Sequence, residues 1–171
     1  MKKIFITGPT GFIGSRLVEF LQKNECDLRF LSRNRQYEET IVCDLQMDSI
    51  PNEALTNVDT VFHLAGVAHD LRDASKNKHL YQKVNTDATV QLAELAVKSG
   101  VKRFVFVSSV KAGGSPIRGK CVNETDQSEP EGIYGRTKRE AELKLLKIGK
   151  ESGMHVSIIR PSLVYGPDVK G

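Results

Sequence analysis

Apolar residues in this chain follow two kinds of pattern, short continuous runs and longer stretches with helical spacing. The short runs predict strands at residues 3–6, 28–31, 40–42, 58–65, 104–107 and 156–159. The helical spacing predicts helices at residues 12–22, 76–99 and 134–152, with a single helical turn at 51–55. Proline and glycine residues without periodicity predict a long loop at 115–132.

Strands and helices that alternate in this way, with short connections, form βαβ units. Their right-handed crossovers produce a parallel sheet with helices on both faces. We therefore expect a doubly wound α/β fold. Ligands of such sheets bind beyond the carboxyl ends of the strands, so the functional residues are expected at that edge.

Composition and charge narrow the classes of partner. The chain has 171 residues, with 25 Lys and Arg against 21 Asp and Glu, and the net charge of +4 suits an anionic ligand. The basic residues are interleaved with acidic and apolar ones, so we expect no nucleic-acid partner. No stretch approaches the roughly 18 apolar residues of a membrane span. Cys26, Cys43 and Cys121 match no disulfide or metal framework, which favours a reduced, cytoplasmic setting.

The first predicted turn, at residues 7–14, has glycines at Gly8, Gly11 and Gly14. One glycine permits the tight turn, the next lets backbone approach a pyrophosphate, and Gly14 allows close packing of the helix. The start of that helix offers free N–H groups to the phosphates. The alternative is that this segment is a turn without a ligand. The position of the glycine turn, between a first strand and a helix, favours dinucleotide binding.

Six motifs follow one another along the chain in the order of a known family. They are the glycine turn with its spacing of three, His63-Leu64-Ala65-Gly66, Val84-Asn85, Ser108-Ser109, Tyr134-Gly135-Arg136-Thr137-Lys138, and Arg160-Pro161 with Tyr165-Gly166-Pro167. The chain resembles the extended branch of the short-chain dehydrogenase/reductase superfamily, the NAD-dependent epimerase/dehydratase family. The resemblance implies a Rossmann fold that binds NAD(P), a nucleotide-sugar substrate, and a homodimer formed through the helices at 76–99 and 134–152.

The candidate catalytic residues are Ser109, Tyr134 and Lys138. Tyr134 and Lys138 are four residues apart on one helix face, and a nearby ammonium is expected to lower the pKa of the phenol. Tyr134 would then act as acid or base, and Ser109 would hold the substrate oxygen. Taken alone, Tyr134 would be a packed aromatic, Lys138 a solvated charge and Ser109 a loop hydroxyl. The resemblance favours Ser109 over Ser108, and Gly113 stands where family members usually have a tyrosine, which leaves the sugar open.

The second predicted strand decides between cofactors. It ends in Ser32-Arg33-Asn34-Arg35 without a carboxylate, so we expect NADP rather than NAD, with Arg33 on the phosphate. The alternative is that Arg33 is a solvated loop charge. In the glycine turn, the expected cofactor contacts are Gly8, Thr10, Gly11, Phe12, Ile13 and Gly14. The resemblance adds Asp44, Leu45, Leu64, Ala65, Gly66, Lys138, Pro161 and Val164.

Asp44 and His63 each have two interpretations. The resemblance places Asp44 on the amine of the adenine ring, whereas a loop aspartate also caps turns. His63 lies inside a buried strand and is expected to be a hydrogen-bonded core histidine rather than a base.

The favoured activity is that of a nucleotide-sugar epimerase or a 4-keto-sugar reductase, with Tyr134 as acid or base. Dehydration is disfavoured because Val110-Lys111 stands where dehydratases carry acidic residues. The alternative is a dinucleotide-binding regulator or scaffold without catalysis, for which the Ser-Tyr-Lys set would be superfluous. Extended-family members continue well past residues 165–167, so we expect residues 1–171 to lack most of a C-terminal substrate domain.

Overall fold

The computed structural model describes residues 2–68, 77–115, 119 and 121–167. Its strands are β1 (Lys3–Thr7), β2 (Asp27–Ser32), β3 (Thr40–Val42), β4 (Val58–His63), β5 (Arg103–Val107) and β6 (His155–Ile159). Its α-helices are α1 (Phe12–Lys23), α2 (Lys78–Tyr81), α3 (Ala88–Lys98), α4 (Val110–Gly113) and α5 (Gly132–Ser152). Position 76 of a predicted helix, and positions 168–171 of the tail, lie outside the described residues.

The six strands form one parallel sheet in the order β3-β2-β1-β4-β5-β6. Thr7 at the end of β1 is in register with Leu31 on one side and His63 on the other. The chain reverses its direction of winding between β1 and β4, and this is where doubly wound sheets bind ligands. The predicted fold class is therefore confirmed, and every strand lies within two residues of its predicted bounds.

Neighbouring residues of β1 point to opposite faces of the sheet, and each face has its own apolar core. Phe5 belongs to the larger cluster, which α3 and α5 cover with side chains such as Leu92 and Leu145. Ile6 belongs to the smaller cluster, which α1 covers with Val18 and Leu21. Helices on both faces protect the sheet, as the apolar runs of its strands require.

The predicted helix at 76–99 is interrupted in the structure. A π-helical turn, Gln82–Asp87, separates α2 from α3. Within this turn Asn85 is fully buried and its side chain bonds to the backbone of Val67 on both sides, accepting from N–H at 2.8 Å and donating to C=O at 3.0 Å. Apolar periodicity carries no signal for such a turn, because the apolar face continues through it.

Helix α4 was not among the predicted elements. It is a single turn, and the Ser109 hydroxyl at its N-terminus accepts a hydrogen bond from the N–H of Lys111 at 3.3 Å. Four residues are too few to show helical periodicity, so a sequence pattern could not reveal it.

Candidate active site

The glycine turn at the end of β1 is packed too closely for side chains. Gly8 has a positive φ of 67°, and a Cβ there would lie 2.9 Å from the backbone nitrogen of Ala65. A Cβ on Gly14 would lie 2.1 Å from the carbonyl oxygen of Gly8. Gly14 thus brings α1 against the turn itself, not only against the strand. Gly11 precedes the helix with extended backbone, so the first N–H groups of α1 face the turn.

A cleft of about 550 Å³ opens beside this turn. Nine of the predicted cofactor residues line it: Gly8, Thr10, Gly11, Arg33, Asp44, Leu45, Leu64, Ala65 and Gly66. Leu80, Val84 and the buried Cys43 also line it. Val84 belongs to one of the six motifs, whereas Leu80 and Cys43 are ordinary apolar residues of a predicted helix and strand end, which no pattern distinguishes.

Arg33 and Asp44, each of which has an alternative to cofactor binding, differ in their surroundings. Arg33 is exposed at the rim of the cleft, directly after β2. Asp44 lines the cleft and also caps its own loop, because its Oδ1 accepts a hydrogen bond from the N–H of Gln46 at 2.9 Å. Asp44 therefore caps its loop with one oxygen, as the alternative interpretation expects, and also lines the cleft.

Six predicted cofactor residues do not line the cleft: Phe12, Ile13, Gly14, Lys138, Pro161 and Val164. The Phe12 ring lies under the guanidinium of Arg16, at 4.0 Å from the ring centroid. Arg16 also donates a hydrogen bond to the carbonyl of Pro167, which ties the segment after β6 to the start of α1. The Pro161 carbonyl accepts from the N–H of Val110 at 3.1 Å, and Val164 is 38% exposed.

The candidate catalytic side chains meet at the carboxyl end of β5. The Ser109 hydroxyl adjoins the Tyr134 phenol and favours its ionised form. Ser108 is buried, and its Oγ has no hydrogen-bond partner among the described residues. The Tyr81 ring packs edge-on against Tyr134, with 6.5 Å between centroids. The geometry thus pairs Tyr134 with Ser109.

The ionisation of Tyr134 differs from the expectation. Burial raises the pKa of the phenol, and the Ser109 hydroxyl opposes that rise only in part. The expectation that the ammonium of Lys138 gives Tyr134 a lowered pKa is therefore wrong in its net direction for this structure. Desolvation of a phenolate outweighs the local stabilisation of its charge.

Lys138 is buried one turn further along α5. Its Nζ donates to the carbonyl oxygen of Val107 at 2.8 Å and lies 4.3 Å from the ring centroid of Phe106. Burial lowers the pKa of Lys138 to about 8, while the negative charge of Glu142 opposes that change. A Cβ on Gly66 would lie 3.5 Å from Nζ, so the ammonium adjoins the cleft.

A buried chain of hydrogen bonds joins the glycine turn to α5. His63 is fully buried, with Nδ1 2.7 Å from the Thr7 hydroxyl and Nε2 2.8 Å from the Thr89 hydroxyl. Thr89 donates to the carbonyl of Asn85 at 2.9 Å, and Asn85 donates to the Thr137 hydroxyl at 3.3 Å. His63 is a core histidine, as predicted. The threonines carried no sequence signal, since isolated hydroxyls are common throughout the chain.

A buried ion pair lies one turn beyond Lys138 on α5. Glu142 is 1% exposed, and its Oε1 accepts from Nε of Arg160 at 2.9 Å. A Cβ on Gly113 would lie 3.3 Å from the guanidinium of Arg160, so the residue that departs from the family pattern leaves room for this arginine.

Within the described part of the chain, no helix is both long and apolar enough to cross a membrane.

Comparisons with known proteins agree with this geometry. The chain is 40% identical over 176 residues to a UDP-glucose 4-epimerase of Vibrio cholerae, an alignment that covers 99% of this chain and 54% of that protein. A UDP-glucuronic acid 4-epimerase from Bacillus cereus in complex with NAD superposes with a TM-score of 0.85 at 25% identity, over 98% of this chain and 58% of that one.

A UDP-glucose 4-epimerase from Thermotoga maritima, solved with UDP-glucose, superposes with a TM-score of 0.83 at 26% identity, over 96% of this chain and 57% of that one. The chain spans about half the length of the curated relatives it matches. The model of the NAD dependent epimerase/dehydratase family matches residues 4–171. This chain therefore belongs to the NAD dependent epimerase/dehydratase family.

Proposed function

We propose that this chain forms the NAD(P)-binding and catalytic part of a nucleotide-sugar epimerase. The observation that carries the proposal is the pairing of Ser109 with Tyr134, with Lys138 one turn away and next to the glycine-lined cleft. A dinucleotide-binding regulator would need the cleft but not this side-chain set. The 40% identity to the Vibrio cholerae UDP-glucose 4-epimerase supports the enzyme over the regulator.

The cleft fits a dinucleotide because the glycine turn on one side of it presents backbone atoms rather than side chains. Side chains at Gly8 or Gly14 would collide with neighbouring backbone atoms, so the turn leaves its surface open for a pyrophosphate. In the proposal, the start of α1 holds the phosphates, Asp44 and Leu45 flank the adenine ring, and Leu64 to Gly66 contact a ribose. Pro161, Val164, Phe12 and Ile13 would contact the nicotinamide half. A bound nicotinamide cofactor supplies a hydride acceptor or donor.

Tyr134 carries the proton in this scheme. Since burial raises its pKa, the phenol is protonated at neutral pH and can donate its proton to the oxygen of a keto-sugar. In the opposite direction, the phenolate accepts the proton of a sugar hydroxyl, and the carbon–hydrogen bond of that carbon supplies the hydride. Ser109 holds the reacting oxygen, and the positive charge of Lys138 favours the phenolate.

Reduction of a 4-keto-sugar is the second candidate, and Arg33 is the observation that favours it. Its guanidinium stands at the rim of the cleft after β2, where it could pair with the phosphate of NADP. We propose a preference for NADP on this basis. An epimerase returns the hydride to its substrate, whereas a reductase consumes reduced cofactor.

Subunit association is also part of the proposal. Leu143 and Leu146 on the outer side of α5 are 60% and 51% exposed, which suits a homodimer packed through α3 and α5. Sedimentation of the chain at two concentrations tests this, and a monomeric mass at both would contradict it.

The direct test of the activity is conversion of UDP-glucose to UDP-galactose with a catalytic amount of NAD, followed by chromatography of the sugars. We expect Tyr134→Phe to lower the rate by about 100-fold or more, because the proton then has no carrier. Net consumption of NADPH with a keto-sugar, without epimerisation, would favour the reductase. Equal rates for wild type and variant would favour the regulator.

A further inference from the structure

The ammonium of Lys138 is held without a carboxylate. Its Nζ donates to the carbonyl of Val107 at 2.8 Å and lies 4.3 Å from the centroid of the Phe106 ring. Lys138 is 3% exposed and forms no salt bridge with the acidic residues that the structure describes. A buried ammonium normally needs a charged partner, so the aromatic face must supply part of its stabilisation.

The charged and titratable groups near Lys138 are Tyr134 and Glu142 on α5, Tyr81 on α2, His63 on β4, and Arg160 after β6. Glu142 stabilises the ammonium through its charge but forms no ion pair with Nζ, so the ring face is the group in direct contact besides the Val107 carbonyl. The carboxylate of Glu142 is bound by Arg160. Burial and the positive charge of Lys138 lower the pKa of His63 to about 3, so His63 is neutral.

The Phe106 ring is itself fixed in orientation. It is 0% exposed and stacks on the His63 ring, with 5.6 Å between centroids and 17° between planes. His63 is held in turn by Thr7 and Thr89. The ring plane is therefore set by contacts within the core of the sheet, independently of α5.

We propose that Phe106 is a positioning residue, whose ring face holds the Lys138 ammonium beside Tyr134 in place of a carboxylate. A carboxylate at this distance would bind the ammonium tightly and neutralise its field. The ring attracts the charge without cancelling it, so the positive field still reaches the phenol. The effect of the Lys138 charge on Tyr134 rests on the proposed function, whereas the contact of Lys138 with the Phe106 ring is independent of it.

The test varies the charge of the ring face at constant shape. Mono-, di- and trifluorinated phenylalanine, placed at position 106 of the cofactor-free chain, weaken the negative face stepwise without opening a cavity. The pKa of Lys138 is read from the pH titration of lysine ε-carbon NMR signals, assigned with Lys138→Met. Phe104 is the matched control, since it is also 0% exposed on β5 and faces His63 at 6.1 Å.

We expect the pKa of Lys138 to fall with each fluorine at position 106, by about 1 for the trifluorinated ring. The same series at position 104 should leave it unchanged. A pKa that does not respond at position 106, or that responds equally at both positions, would overturn the proposal. The outcome is separable from the proposed function, because turnover lost in Lys138→Met supports the catalytic role whether or not the ring holds the ammonium.

Discussion

The hydroxyl of Thr7 lies 2.7 Å from Nδ1 of His63, and this contact fixes the protonation of a fully buried imidazole. Thr7 accepts a hydrogen bond from the N–H of Ala65 at 3.1 Å, so its own proton is available to Nδ1. Thr89 donates to Asn85 and therefore accepts from Nε2–H. Only the neutral Nε2–H tautomer satisfies every member of this chain.

The stability of the fold should therefore depend on His63 in acid. Burial lowers its pKa from 6.5 to about 3, so the stability contributed by the neutral ring is present above pH 6.5 and is lost as the pH falls toward 3. We expect the free energy of unfolding to fall by about 1.4 kcal/mol per pH unit in that window, beyond the effect of other groups. Urea unfolding at several pH values measures it.

The control for this prediction is His63→Gln, which keeps a hydrogen-bonding side chain that does not titrate. The acid slope of the variant should be smaller by the contribution of one imidazole. An unchanged slope would show that His63 is not held neutral by the fold.

Gly14→Ala separates helix propensity from packing. Propensity alone predicts that alanine inside a helix is stabilising by up to about 1 kcal/mol. The structure predicts the opposite sign, because the new Cβ would lie 2.1 Å from the Gly8 carbonyl oxygen and the turn must shift, at a cost of about 1–3 kcal/mol. Thermal unfolding and NADH titration should show both a less stable chain and weaker cofactor binding.

Gly11→Ala is the matched variant for stability. A Cβ at Gly11 would lie 3.4 Å from the same carbonyl oxygen, an ordinary contact, and its φ of −73° suits any residue. Its unfolding free energy should stay within about 0.5 kcal/mol of wild type. If both variants unfold alike, close packing at Gly14 is not what the turn requires.

Loss of one partner of the Arg160–Glu142 pair should lower the free energy of unfolding strongly, whereas replacement of both by apolar residues should lower it little. Arg160→Met removes the hydrogen-bonded partner of the Glu142 carboxylate, which is 1% exposed, and leaves only the more distant Arg139 at 3.9 Å, so we expect a loss of about 3 kcal/mol. The double variant Arg160→Met with Glu142→Leu should recover most of this loss, since the buried carboxylate is then absent. Denaturant unfolding of all four proteins completes the cycle, and additive losses would refute the coupling.

Arg33 should decide the choice of cofactor. Comparison of dissociation constants is expected to show tighter binding of NADPH than of NADH, because Arg33 stands at the rim of the cleft. Arg33→Ser should weaken NADPH binding by about tenfold or more and leave NADH binding nearly unchanged, as for loss of one charged hydrogen bond. Tighter NADH binding by the wild type would contradict the assignment.

The strands could be predicted from the sequence because apolar runs are a local pattern. The sequence also placed Tyr134 and Lys138 on one helix face and nine cofactor candidates on the cleft. The π-helical turn at Gln82–Asp87 and the raised pKa of Tyr134 depend on tertiary burial, which periodicity does not encode. The roles of Thr7, Thr89 and Phe106 likewise arise only when β1, β4, β5 and α3 are packed together.

The most direct test of the catalytic assignment is a single-turnover experiment. The chain, loaded with NADP in one series and with NAD in another, is mixed with excess UDP-glucose, and the absorbance of reduced nicotinamide is followed for the wild type and for Tyr134→Phe. Because the phenol must take the proton as the hydride leaves the sugar, we predict a rise in absorbance for the wild type and a rise at least about 100-fold slower for the variant. Identical traces, whether both rise or both stay flat, would contradict the account.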